Sequence, residues 1–306
     1  MSAPTWTDPQ FRVRSDPPRR AARRLLQGWW REVELGLPPG RDEGGVLRNN
    51  MLPRAAVKAK PGLNFLTPEI DAYTQERAPL VLRLEGTLDE DRLFRNLLSS
   101  MPMCFNLFGF FRFHPAAAAR VLSAASGLDV AQVEAVDVEW TPDGAHPLGD
   151  RTAFDAWVSY RTTAGERGFL GVETKYTEPF SQRFYMRDRY KEVTAWPESG
   201  FTGEAVSRLA GRSTNQFWRN ALLAAAVRRE SNFDHGHVLV VALEDDPHVH
   251  HAMTVLEEAH SDPGSLVRVA PLERLMALAL PEPELSSWAQ QFTRRYLDLA
   301  PVRASI

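Results

Sequence analysis

Apolar positions along this chain change their period several times, and the changes divide it into elements. From residue 16 to 35, Ala, Leu and Trp recur at helical spacing between arginines. Asp16 as cap, Pro17 in the first turn and Gly36 at the end complete a predicted opening helix. Residues 36–61 are rich in proline, glycine and charge and read as a long loop or arm. Helical spacing returns over 67–77, over 88–100 behind Thr87 as cap, and over 115–126, where Gly127 stops it. A strand-like run at 133–140 leads into turn-rich sequence at 141–151. Two more strand-like runs, Phe154 to Tyr160 and Gly168 to Tyr176, flank turn material with two glycines, Arg161 to Gly168. Ser213 then caps a helix over 214–230, and the apolar run 237–243 reads as a buried strand. Helices near 247–260, 271–280 and 283–299, with a short strand at 266–270, finish the chain. From residue 115 the order is helix, strand, strand, strand, helix, strand. The change in composition divides the chain into 1–61, a helix and arm, and 62–306, the main domain.

The paired runs carry the chemistry. Glu173 and Lys175 are two apart in a strand, so they share a face about 7 Å apart along the chain. Asp155 lies eighteen positions before Glu173. In an antiparallel hairpin it joins their face if it sits opposite Glu173, with the turn centred on Ala164, or opposite Lys175, with the turn centred on Gly165. Two carboxylates and one ammonium suit a Mg²⁺ site, because Mg²⁺ takes hard oxygen ligands and keeps water positions open. The metal activates a water and neutralises a phosphoryl oxygen; the lysine orients the water or stabilises developing charge. The product of such chemistry is a hydrolysed phosphodiester. Against this, E-x-K triplets are common, and a Glu/Lys pair on a strand is usually solvated decoration. The apolar setting (Trp157, Val158, Leu170, Val172) argues the other way, since charges beside buried strands need a reason.

Asp155 with Glu173-Thr174-Lys175 resembles the motif of the PD-(D/E)XK, or restriction-endonuclease-like, nuclease superfamily. More narrowly, the chain is similar to a bacterial restriction-endonuclease branch. Leu47-Arg48-Asn49-Asn50-Met51-Leu52-Pro53 resembles the N-terminal signature of that branch, and Leu98 to Gly109 its "SSQ-x-x-x-N-x-F" block. Val172 to Glu178 resembles its catalytic strand and Asn215 to Arg219 the helix that follows. Two positions depart from the pattern: Phe154 stands where a proline often precedes the Asp, and Met101 stands where the block has glutamine. The resemblance implies an α/β fold with an αβββαβ core, a mixed sheet flanked by helices, and helical N- and C-terminal additions. It also implies a Mg²⁺-dependent endodeoxyribonuclease, with Mn²⁺ as a substitute, acting on DNA in restriction or defence. Asp155 and Glu173 would hold metal, and Lys175 would act on the attacking water. Glu178 in the Lys-Tyr-Thr-Glu run would be a supporting or additional ligand. Gln216 and Arg219, on one helix face, would steady the site and hold a phosphate. Two rivals stand beside this: a non-catalytic nucleic-acid-binding module of the same fold, and a metal-dependent hydrolase of another phosphate-containing substrate. RNA and a homodimer stay open.

Composition narrows the setting. The 306 residues can bury a sizeable core, and no apolar run approaches a membrane span. The arginines near the N-terminus have no apolar stretch after them, so no signal peptide is expected. One cysteine, Cys104, excludes an internal disulfide framework and fits a reducing cytoplasm. A net charge of −3 argues mildly against strong non-specific affinity for nucleic acid, but leaves room for a local basic groove. Arg19, Arg20, Arg23 and Arg24 share a face of the opening helix, either as phosphate contacts or as a solvated surface. His235, His237, His248, His250 and His251 match no zinc pattern. Asn106, in an apolar block, reads as a structural amide.

Overall fold

A computed structural model describes residues 5–83 and 88–306. Three consecutive strands, β1 (Gln132–Trp140), β2 (Phe154–Arg161) and β3 (Arg167–Thr174), form an antiparallel meander. Gly165 supplies the left-handed turn between β2 and β3, at φ +81°. The chain then crosses through a long helix and returns as β4 (His235–Ala242), parallel to β3, and later as β5 (Val267–Pro271), parallel to β4. The result is a mixed sheet of five strands in the order β1-β2-β3-β4-β5 with helices on both faces. The helix-strand order expected from residue 115 is the one observed.

Alternation along the strands sorts the side chains onto two layers. Ala156, Val158, Leu170, Val172, Leu239 and Val241 enter one apolar core. Trp157, Phe169, Val238 and Val240 enter the other, beneath the crossover helix. On that second face Trp140 stacks on Trp157 at 4.2 Å and Trp157 on Phe169 at 4.3 Å. Gly171 completes the surface, because a Cβ there would stand 2.4 Å from the Phe154 ring. Gly171→Ala is therefore expected to push that ring aside at a cost of about 1–3 kcal/mol. Chemical denaturation checks this, and an unchanged midpoint would contradict it.

The helices around the sheet are α1 (Pro18–Trp29), α2 (Pro68–Arg83), α3 (Ser100–Phe111) and α4 (Pro115–Ser126). After the meander come α5 (Asn215–Glu230), α6 (Pro247–Ala259), α7 (Leu272–Ala279) and α8 (Ser286–Tyr296). Four expectations need correction. The residue at the cap of α5 is Thr214 and not Ser213, and its side chain bonds the Leu209 carbonyl instead of a helix amide. Asp16 does not cap α1; it pairs with Arg20 and Arg24, and the helix starts two residues later and widens to a π-turn at Trp30–Glu34. The helix expected over 88–100 is a short one, Glu90–Arg95, capped by Asp89; the Thr87 expectation lies outside the described residues. The chain is non-helical from Asn96 to Ser99 and restarts as α3, which is buried on nearly every side and has no expected counterpart. The short helices Asp188–Thr194 and Ala205–Leu209 are likewise additions.

The N-terminal segment is built into this body. Gln27 is fully buried and donates to the Arg295 carbonyl at 2.8 Å and the Tyr176 hydroxyl at 3.2 Å. The Leu47–Pro53 stretch ties the arm to the segment before α3. Arg31 Nε donates to the Asn49 carbonyl at 3.0 Å, Asn50 to Asn96 Oδ1 at 2.7 Å, and Arg95 Nε to the Leu52 carbonyl at 3.0 Å. All of these bonds but that of Arg31 join residues on either side of position 61.

Candidate active site

The β2–β3 ladder keeps the register that centres the turn on Ala164, running from Arg161↔Arg167 to Ala156↔Val172. One step further Asp155 and Glu173 would face each other, but here the strands part. β2 stays with β1 and β3 stays with β4. The Asp155 carboxylate fills the gap, with Oδ2 accepting the Thr174 amide at 2.7 Å and the Thr174 hydroxyl at 2.8 Å. Glu173 lies at the same end of the sheet, 1 % exposed. Its Oε1 accepts from Gln216 Nε2 at 2.7 Å and from Lys175 Nζ in a close contact, and its Oε2 accepts from Asn220 Nδ2 at 2.6 Å. Lys175 also sits over the Phe180 ring, 5.1 Å from its centroid.

These contacts set the charge states. Burial raises the Glu173 carboxyl and Asp155 raises it further, to about 7 against the pull of Lys175. Burial works to lower the Lys175 ammonium, but Glu173 and Asp155 outweigh it and hold its pKa above the usual lysine value. A third carboxylate adds to the repulsion. Glu139 sits between the β1–β2 pairs Val138↔Ala156 and Trp140↔Phe154, with φ at +52°. Burial and Asp155 push its pKa upward too. Asp155 and Glu139 open into a cleft of about 510 Å³ whose far wall is Gln216, Arg219 and Asn220 of α5.

The supporting residues divide. Gln216 bonds Glu173 and also accepts the Ser181 amide at 2.5 Å. Arg219 lines the cleft, donates to Thr152 Oγ1 at 2.8 Å and lies 4.8 Å from the centre of the Tyr185 ring. Glu178 meets the main chain with both oxygens: its Oε1 accepts the Ser100 amide at the start of α3 and its Oε2 the Thr177 amide. Burial alone would raise its pKa, but the Ser100 bond and Lys175 outweigh it and bring it below the usual carboxylate value. The four arginines on the face of α1 each have a partner within the protein. Arg19 bonds Asp246 at 2.7 Å, Arg23 the Leu297 carbonyl at 2.8 Å and Arg24 Asp16 at 2.6 Å, while Arg20 lies 3.3 Å from Asp16.

Asn220 and Glu139 were missed in the sequence. Asn220 had a signal, being four residues after Gln216 on the same helix face. Glu139 had none, because the long connection 141–153 hides the β1–β2 register. Among the described residues no three His, Cys, Asp or Glu side chains gather to hold a metal by themselves, the histidine group included.

A family model of the PD-(D/E)XK nuclease superfamily matches residues 14–298, nearly the whole chain. The chain belongs to this superfamily. No curated protein and no solved structure is significantly similar to it. PD-(D/E)XK nucleases generally use divalent metal ions, and the donors here fit one. Asp155 and Glu173 offer hard oxygens, their mutual repulsion would be relieved by a cation, and Mg²⁺ needs only one or two carboxylates beside its waters and the substrate phosphate.

Proposed function

We propose that this protein is a Mg²⁺-dependent endonuclease hydrolysing DNA phosphodiester bonds, with Asp155 and Glu173 as metal ligands and Lys175 as the catalytic cation. The observation that carries the reading is the parting of β2 from β3, which gathers two carboxylates and an ammonium at one end of the sheet. The bound metal would lower the pKa of its water and neutralise charge on the phosphoryl group.

The protein's own groups do the rest. The raised pKa of Lys175 keeps it an ammonium at neutral pH, so it donates to the attacking water's oxygen or to the phosphoryl oxygen and takes no proton. Gln216 and Asn220 fix the rotation of the Glu173 carboxylate from α5, acting as positioning residues. Arg219 stands in the same cleft, where its charge favours a phosphate. The test is incubation of plasmid and linear DNA, and of RNA, with and without Mg²⁺. Cleavage of DNA only with metal is the expected result, and binding without cleavage would favour a non-catalytic module.

A Glu173 carboxyl near pH 7 gives a further expected outcome. Below that pH the group is largely protonated and must lose its proton to bind metal. Mg²⁺ binding should therefore release a proton at pH 6 and almost none at pH 8.5, with apparent affinity rising up to about pH 7 and levelling off. Calorimetry in buffers of different ionisation enthalpy reads this. Equal affinity and no proton release at pH 6 would count against Glu173 as a ligand.

A further inference from the structure

The segment between β3 and the helix Asp188–Thr194 has no regular structure from Gln182 to Arg187 and runs past the mouth of the cleft. Its side chains alternate. Ser181, Arg183, Tyr185 and Arg187 line the cleft, whereas Gln182, Phe184 and Met186 do not, which is the period of an extended chain. The first turn of α5 pins this strap through its main chain. The Ser181 amide donates to Gln216 Oε1, the Tyr185 amide to Asn215 Oδ1 at 3.2 Å, and Asn215 Nδ2 donates to the Tyr185 carbonyl at 2.9 Å. The anchors to Asn215 are both on the Tyr185 main chain, and the residue is 40 % exposed. The Arg219 guanidinium supports its ring from within the cleft, 4.8 Å from the centroid, and is itself held by Thr152.

An aromatic ring flanked along the chain by two arginines, 40 % exposed and lining the same cleft as Asp155 and Glu139, has the form of a stacking platform. We propose that Tyr185 stacks the base of an unpaired nucleotide in the strand to be cut, with Arg183 and Arg187 on flanking phosphates. The substrate is then single-stranded or locally opened nucleic acid. In an intact duplex each base face is covered by its neighbours, so a ring reaches one only after the base leaves the stack. Arg183 and Arg187, four residues apart in extended chain, stand about 13 Å apart along it, enough to bracket the nucleotide on Tyr185. The cleft is the size of a site that encloses one small ligand. This inference rests on the nuclease reading.

The test is fluorescence anisotropy in Ca²⁺, an oxygen-seeking cation of looser geometry. The probes are a short labelled single strand of DNA, the same backbone carrying abasic spacers throughout, and a blunt duplex. Wild type should bind the base-bearing strand about 5- to 150-fold tighter than the abasic one, the range one stacked base supplies. It should also prefer the single strand to the duplex. Tyr185→Ala should erase the advantage over the abasic strand and leave abasic binding unchanged; Tyr185→Trp should restore it. Unchanged binding of the base-bearing strand by Tyr185→Ala, or equal wild-type affinity for duplex and single strand, would overturn the stacking role and leave the nuclease reading standing. Failure of wild type to bind any probe would overturn both.

Discussion

Lys175→Ala is expected to lower DNA cleavage by about 10²–10³-fold, the usual loss when one preorganised charge donor is removed. At a pH high enough to ionise Glu173 without its lysine partner, it should bind Mg²⁺ much as the wild type does. Asp155→Ala should differ, since it removes one of the two carboxylates proposed to hold the metal. Its metal affinity should fall by more than the 10- to 100-fold that loss of a mere supporting partner brings. The choice of pH matters. Lys175 offsets the forces that raise the Glu173 carboxyl, so without it that group holds its proton to higher pH. Calorimetry beside a cleavage assay separates the two variants. Equal metal affinity in wild type and Asp155→Ala would show that the carboxylate is no ligand.

The largest stability effect is expected at Asn106. Its Oδ1 accepts the Leu66 amide at 2.8 Å, and its Nδ2 donates to the Asn64 carbonyl at 3.0 Å and the Tyr296 hydroxyl at 2.9 Å. The side chain is fully buried, so Asn106→Leu leaves the Leu66 amide and the Tyr296 hydroxyl without this partner, while the Asn64 carbonyl keeps its bond from Arg295 Nη1 at 2.7 Å. At about 1–3 kcal/mol for each of the two groups, the variant should lose at least ~2 kcal/mol. Met101→Leu on the same helix, a swap of similar volume, should cost less than about 1.5 kcal/mol. Denaturant titration of both variants checks the contrast. A loss below ~1 kcal/mol for Asn106→Leu would mean that these bonds do not hold α3.

What the sequence disclosed and what it hid follow from the same physics. The hairpin was legible because strand parity is strict and Gly165 sits where a positive φ was needed. α5 was legible from its length and polar start. α3 was not. A helix buried all round carries no amphipathic stripe, and the block from Ser100 to Phe111 shows only continuous apolarity broken by Asn106. The arginines of α1 are a related case, because helical spacing shows that they share a face but not what that face meets. The acceptors of Arg19 and Arg23, namely Asp245, Asp246 and the Leu297 carbonyl, lie more than two hundred residues away in the chain, whereas Arg20 and Arg24 meet the nearby Asp16. For Glu178 the Lys-Tyr-Thr-Glu run gave no sign that the free amides at the start of α3 would meet its carboxylate. At the site itself, sequence spacing brought Asp155 and Glu173 together, but it gave no hint that β2 and β3 part there. There the Thr174 amide and hydroxyl bond the Asp155 carboxylate in place of a ladder partner.

The most direct test of the central claim is end-labelled DNA incubated with wild-type protein and with Glu173→Gln, in Mg²⁺ and in EDTA. Glu173→Gln keeps the shape of the side chain among Lys175, Gln216 and Asn220 but removes its charge. The account predicts strand cleavage by wild type in Mg²⁺ alone and none by Glu173→Gln under either condition. Intact DNA after incubation with wild-type protein shown to hold Mg²⁺, or equal cleavage by the two proteins, would contradict it.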